Sequence, residues 1–265
     1  MDGLKIETIK GSDGNEISVC PSRGGIITSL KFKGTEILYL DESTFLDKNV
    51  NVRGGVPILF PNAGPIESEK FPGLKQHGFA RNSSVWTFER DADGRGFRET
   101  LVSNEEIKAV YSFDFKLTVR GVFEDDGSFS LFEEVLNTET EKDIPISMGL
   151  HPYFKILDNK KKEIIFDFDG GEIIKTWEDK WMNGTMVSVN NPGNPIKITI
   201  PDLGIILMNV SSEYKKIWAW SLPEKDFVCI EPIMRDPGGL AENPEIIKPG
   251  SLFSARVNFK LEKLS

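Results

Sequence analysis

The chain has 265 residues, 39% hydrophobic and 28% charged, with a formal net charge of −9, two cysteines and two histidines. Its length and apolar fraction exclude a disordered chain, its acidic balance excludes a nucleic-acid binder, and no apolar run reaches the roughly 18 residues of a membrane helix. Cys20 and Cys229 are too few for a disulfide framework and no basic, apolar leader opens the sequence, so a cytoplasmic protein is expected; two histidines and no CxxC or HExxH spacing leave no metal or other cofactor expected.

Apolar residues alternating with polar ones predict strands at residues 26–32 and 36–40. Arg53-Gly54-Gly55 interrupts this pattern. Two glycines let the backbone turn or approach another segment closely, and the arginine is either a ligand contact or a plain surface side chain. Gln76-His77-Gly78-Phe79-Ala80-Arg81-Asn82, followed by Trp86, gathers an amide, an imidazole, a guanidinium and aromatics around a glycine. Such a loop suits a sugar, whose ring face an aromatic covers and whose hydroxyls polar groups bond; a histidine satisfied within its own loop is the alternative. Tyr111, Phe113, Phe115, Leu117 and Val119 alternate with polar residues and predict another strand, followed by one at 128–137. The DNKKKE run at 158–163 reads as a solvated turn. Further strands are predicted at 163–168, 196–200, 204–210, 217–221 and 227–231, and a last one carries Phe253, Ala255, Val257, Phe259 and Leu261 on one face. Turn signals at 125–127, 169–171, 183–184 and 191–193 separate them. Helical spacing is weak throughout, and no internal repeat or break in composition divides the chain, so residues 1–265 read as one all-β domain, a sandwich of antiparallel sheets with one wet face.

Two residues share a local constraint. His151, in Met148-Gly149-Leu150-His151-Pro152-Tyr153-Phe154, and Glu231, in Cys229-Ile230-Glu231-Pro232, each precede a proline and end an apolar stretch. The proline ring pushes the preceding residue to extended backbone, so each is expected at a strand end with its side chain stiffly aimed. A fixed imidazole and a fixed carboxylate are what general acid–base catalysis requires. A buried, satisfied histidine and a surface glutamate are the plain alternatives.

RGGVPILFPNAGP, KQHGFARNSSVW, GLHPYF and CIEP, in this order, together with CPSRGGIITSLKFK near the N-terminus, resemble the aldose 1-epimerase (galactose mutarotase-like) family, above all the shorter members related to hexose-6-phosphate mutarotases. The resemblance implies a β-supersandwich of large antiparallel sheets with a sugar groove, and metal-free interconversion of α and β anomers of an aldohexose. It implies Glu231 as base, His151 as acid, and Arg53, His77, Arg81 and Gln76 as substrate contacts. An aspartate between histidine and glutamate is also implied. Asp167, Asp169, Asp179 and Asp202 lie in that interval, and Asp179, flanked by Trp177 and Trp181, is preferred. The segment 235–243 resembles a loop closing the groove. A neighbouring carboxylate is expected to raise the protonated fraction of His151 above that of a free imidazole, whose pKa is about 6.5.

Two alternatives stay open. One is a hexose-6-phosphate 1-epimerase in which Arg53 and Arg81 clamp the phosphate with help from Lys75. The other is a carbohydrate-binding protein of the same fold without activity. The expected partner is a small sugar or sugar phosphate, with no nucleic acid and no membrane.

Overall fold

The computed structural model describes residues 4–193 and 195–263. The alternation seen in the sequence becomes antiparallel ladders. The largest sheet has eight strands in the order Ile165–Asp167, Ile196–Ile200, Gly204–Val210, Leu252–Glu262, Phe129–Asn137, Phe115–Phe123, Gly96–Val102 and Thr87–Arg90. A six-stranded sheet runs Val187–Asn190, Lys216–Trp220, Phe227–Ile233, Gly149–Leu150 and Ile58–Leu59, with Tyr153–Lys155 also paired to Phe227–Ile233. A four-stranded sheet is built from Glu7–Lys10, Glu16–Cys20, Ile26–Phe32 and Thr35–Glu36, and a small one from Ile144–Ile146 and Glu245–Ile247. The fold is all-β, with only short helical segments, the longest α-helix being Gly171–Thr176.

One core cluster runs from Ile9 to Phe259 and joins the inner faces of these sheets. Phe154 of the six-stranded sheet meets Phe259 of the eight-stranded sheet edge to face, and Phe60 meets Phe115 at 5.0 Å between ring centroids. Removing such rings from water supplies the main stabilisation of a sandwich.

Several expectations shift in detail. The strand predicted from Tyr111 begins at Phe115, because Tyr111 still closes a helical turn on the Ile107 carbonyl. The Asp-Gly-Gly turn signal at 169–171 opens the helix Gly171–Thr176 rather than a hairpin. The run at 158–163 is a 3₁₀ segment, and its Lys161 is not solvated: only 1% exposed, it bonds the Asp158 carboxylate and the Leu222 carbonyl. The strand expected to end at Glu231 continues through Pro232 to Ile233. That proline falls in the gap between the two registers, Gly149 with Ile233 and Tyr153 with Cys229, where no pairing on that side calls for its N–H.

Candidate active site

The six-stranded sheet fixes the geometry of the site. Gly149 pairs with Ile233 and Tyr153 with Cys229, so the intervening register sets His151 directly across from Glu231. Both side chains project from the same face, and His151 Nε2 lies 3.5 Å from Glu231 Oε1. On the other side of the same strand Trp218 pairs with Glu231 and Trp220 with Cys229. The face therefore carries the histidine–glutamate pair with two tryptophans beside it. The Tyr153 ring stacks on His151 at 4.6 Å with 8° between planes, and Trp220 meets His151 edge to face at 5.7 Å.

The loops complete a cavity of about 830 Å³ over this face, with Arg53, Gln76, His77, Arg81, His151 and Glu231 in its wall. Glycines bring the loops close. A Cβ on Gly55 would stand 2.1 Å from the Ile27 carbonyl oxygen, and one on Gly78 would stand 2.0 Å from that of Phe60. Both have positive φ, so only glycine fits without strain. His77 itself has φ 65°, an uncommon conformation for a side-chain-bearing residue. Its Nδ1 accepts the Gly64 N–H at 3.0 Å, so the neutral ring carries its proton on Nε2, beside the Gln76 side-chain amide. The His77 and His151 rings meet edge to face at 5.6 Å.

Burial governs the protonation states. It pushes Glu231 well above the ordinary carboxylate range, opposed by the positive Arg81. It drives His151 well below the ordinary imidazole value, aided by His77 and Arg81. The expected rise of His151 next to a carboxylate is thus reversed, because desolvation and nearby positive charge outweigh that carboxylate. Burial, with Arg81, takes His77 down to about 3. Cys229 lies on the same face as Glu231, and burial holds its thiol well above its usual range, so it is no ready nucleophile.

Six of the seven expected site residues meet here; Asp179 does not. Its side chain is 81% exposed and pairs with Lys162 on the short helix Glu178–Trp181, where Trp181 points into the core and Trp177 carries Lys180 over its ring. The aspartate in the cavity wall is Asp41, which accepts the Ser43 and Thr44 N–H groups and lies 3.9 Å from Lys225, also in the wall. The members of the two-arginine clamp stand in different settings. Arg53 is exposed, but Arg81 is buried beside Tyr153 and donates to the Val52 carbonyl at 3.0 Å. Lys75 lines a separate, smaller cavity of about 300 Å³. The segment after the glutamate does reach the site: Pro237 is in the wall, and Asp236 accepts from Trp218 Nε1 at 3.2 Å and from Ser188. Trp218 and Trp220 were missed, although their period-two spacing one strand before CIEP is a legible signal.

The sequence profile described as "Aldose 1-epimerase" matches residues 7–203. The chain belongs to the aldose 1-epimerase family. An Escherichia coli (strain K12) protein named "Putative glucose-6-phosphate 1-epimerase" is 31% identical over 147 residues, a match spanning 54% of this chain and 46% of the relative, so under half of that protein's length is matched. A protein of the same name from Cenchrus ciliaris is 23% identical over 88% of this chain and 78% of its own. Among solved structures, the Slr1438 protein from Synechocystis sp. PCC 6803 is 25% identical with a TM-score of 0.85, covering 99% of this chain and 97% of its own. A galactose mutarotase related enzyme from Lactobacillus acidophilus, 20% identical, shares the fold with a TM-score of 0.76 and 98% of each chain covered. The aldose 1-epimerase fold is therefore matched along almost the whole chain.

Proposed function

We propose that this protein is an aldose 1-epimerase that interconverts the α and β anomers of an aldohexose by opening and closing the ring. The observation that carries this reading is the 3.5 Å separation of His151 Nε2 and Glu231 Oε1 on a face flanked by tryptophans. Anomeric exchange needs one proton removed from O1 and one delivered to O5. Both oxygens are bonded to C1, so the two groups that address them must stand side by side. A glycoside hydrolase instead places two carboxyl groups about 5–10 Å apart across the scissile bond. A pure binding module has no use for a buried acid–base pair, whose burial is costly.

Glu231 takes the O1 proton and His151 gives a proton to O5. The ring opens to the aldehyde, rotation about C1–C2 presents the other face, and the roles reverse on closure. The neutral resting pair and the reactive ion pair hold the same single proton. Reaching the reactive form is a shift of that proton from Glu231 to His151, in which the neighbouring Arg81 stabilises the carboxylate and opposes the imidazolium. Trp218 and Trp220 cover the apolar sugar face, while Arg53, Gln76 and His77 bond hydroxyls.

A specific observation favours a second reading, the hexose 6-phosphate. Arg53 is exposed in a cavity wall that also contains Lys225, and the Escherichia coli and Cenchrus ciliaris relatives carry a glucose-6-phosphate name. Mutarotation rates of glucose, galactose and glucose 6-phosphate, measured side by side by polarimetry, separate the two substrates. No helix among the described residues is long and apolar enough to cross a membrane. Both cysteines are free thiols, which supports a reducing, cytoplasmic setting.

A further inference from the structure

Cys229 has no part in the reaction above, yet it stands beside both reacting groups. It precedes Glu231 by two residues on the Phe227–Ile233 strand, so the two side chains share a face. The Cys229 Sγ, a His151 ring nitrogen and a Glu231 carboxylate oxygen all lie within 4.8 Å of one another, and all three residues are buried. Independently, Glu231 Oε2 is buried without a hydrogen-bond partner among the described residues, leaving one oxygen of this carboxylate unsatisfied.

Thiolate, imidazole and carboxylate together form a donor set for a borderline-soft divalent cation, and three protein ligands with one open position suit tetrahedral zinc. With metal–ligand bonds of about 2.0–2.3 Å, tetrahedral ligands stand roughly 3–4 Å apart, so the triad needs only a small contraction. His77 stays outside the set because its Nδ1 already accepts the Gly64 N–H. We propose that Cys229, His151 and Glu231 form an inhibitory site for a thiophilic divalent cation such as Zn²⁺ or Cd²⁺, with the fourth position open to the sugar cavity. On binding, the Cys229 thiol loses its proton to solvent and the sulfur bonds the metal. The bound cation occupies the base and the acid together, so metal and sugar exclude each other; this consequence rests on the function proposed above, while the site itself does not.

The test is titration of the protein with CdCl₂ alone, followed by the ultraviolet cadmium–thiolate charge-transfer band. Cys20 serves as the control, since it packs in a separate small cluster with Ile26, Phe45 and Val52. Wild type and Cys20→Ser are expected to saturate at one equivalent, and Cys229→Ser to give no band. Glu231→Gln is expected to bind at least tenfold more weakly, which keeps the test intact should Cys229→Ser fail to fold. No band in wild type, a band surviving in Cys229→Ser, or equal affinity in Glu231→Gln overturns the proposal. Sugar turnover does not enter this readout, so a protein that binds cadmium but exchanges no anomers refutes the proposed function alone.

Discussion

Two glutamates lie on the inner face of the eight-stranded sheet, far from any obvious partner charge, and they make stability depend on pH. Glu99 pairs with Val119, which pairs in turn with Glu133, so the two carboxyls flank one valine. Both are 0% exposed. Burial pushes each from 4.5 up to about 8, Glu133 against a lowering hydrogen bond from the Tyr214 hydroxyl at 2.5 Å. Neither Glu99 oxygen has a partner among the described residues, and the thiol of Cys20 is a titratable neighbour. Because both values are raised on folding, the stability they support is fully present below about pH 4.5 and is lost as pH rises toward about 8. Within that window each glutamate costs about 1.4 kcal/mol per pH unit. Moving from about pH 5 to about pH 7 therefore costs about 3 kcal/mol for Glu99 and a similar amount for Glu133, as an upper bound. Glu99→Gln keeps the shape and removes one titration, so between about pH 5 and about pH 7 its unfolding free energy should fall by about 3 kcal/mol less than that of wild type. Urea denaturation at a series of pH values reads this directly. Parallel profiles for wild type and Glu99→Gln would refute the reasoning.

Other expectations follow from the site. Arg53→Ala should lower kcat/KM for glucose 6-phosphate about tenfold to a hundredfold more than for glucose, the worth of a charge-assisted hydrogen bond; equal losses would favour the free hexose. Arg81→Ala should reduce kcat on both sugars at least tenfold and lower Tm, because it strips the buried Val52 carbonyl of a donor and Glu231 of its positive neighbour; a loss confined to the phosphosugar contradicts this. Gly78→Ala should destabilise the fold by about 2 kcal/mol or more, since its Cβ would collide with the Phe60 carbonyl at a positive φ; an unchanged urea midpoint would count against that packing.

The legible parts of the fold were those set by local pattern. Period-two alternation marked 26–32, 196–200 and 204–210 as strands, and each is one. It failed at Tyr111, whose backbone N–H closes a helical turn on the Ile107 carbonyl instead of joining a ladder. Proline logic placed His151 at the end of a short strand but not Glu231, because whether a proline interrupts a ladder depends on the neighbouring strand, which local sequence does not specify. Glu99 and Glu133 were readable as exceptions, each on the apolar side of its alternation, in Phe97-x-Glu99-x-Leu101 and Leu131-x-Glu133-x-Val135. The cavity wall was less legible. It draws on segments from Asp41 to Pro237, so Asp41 and Lys225 enter through long-range packing, and Asp179 leaves it because a short helix turns it outward.

The central claim is that Glu231 and His151 exchange anomers as one acid–base pair. Polarimetry on freshly dissolved α-anomers of glucose, galactose and glucose 6-phosphate tests it most directly, with wild type and Glu231→Gln compared at matched Tm. Wild type should exceed the spontaneous rate on at least one sugar, and Glu231→Gln should fall to near that background. A wild type at background on all three, or a Glu231→Gln protein with full activity, would contradict the account.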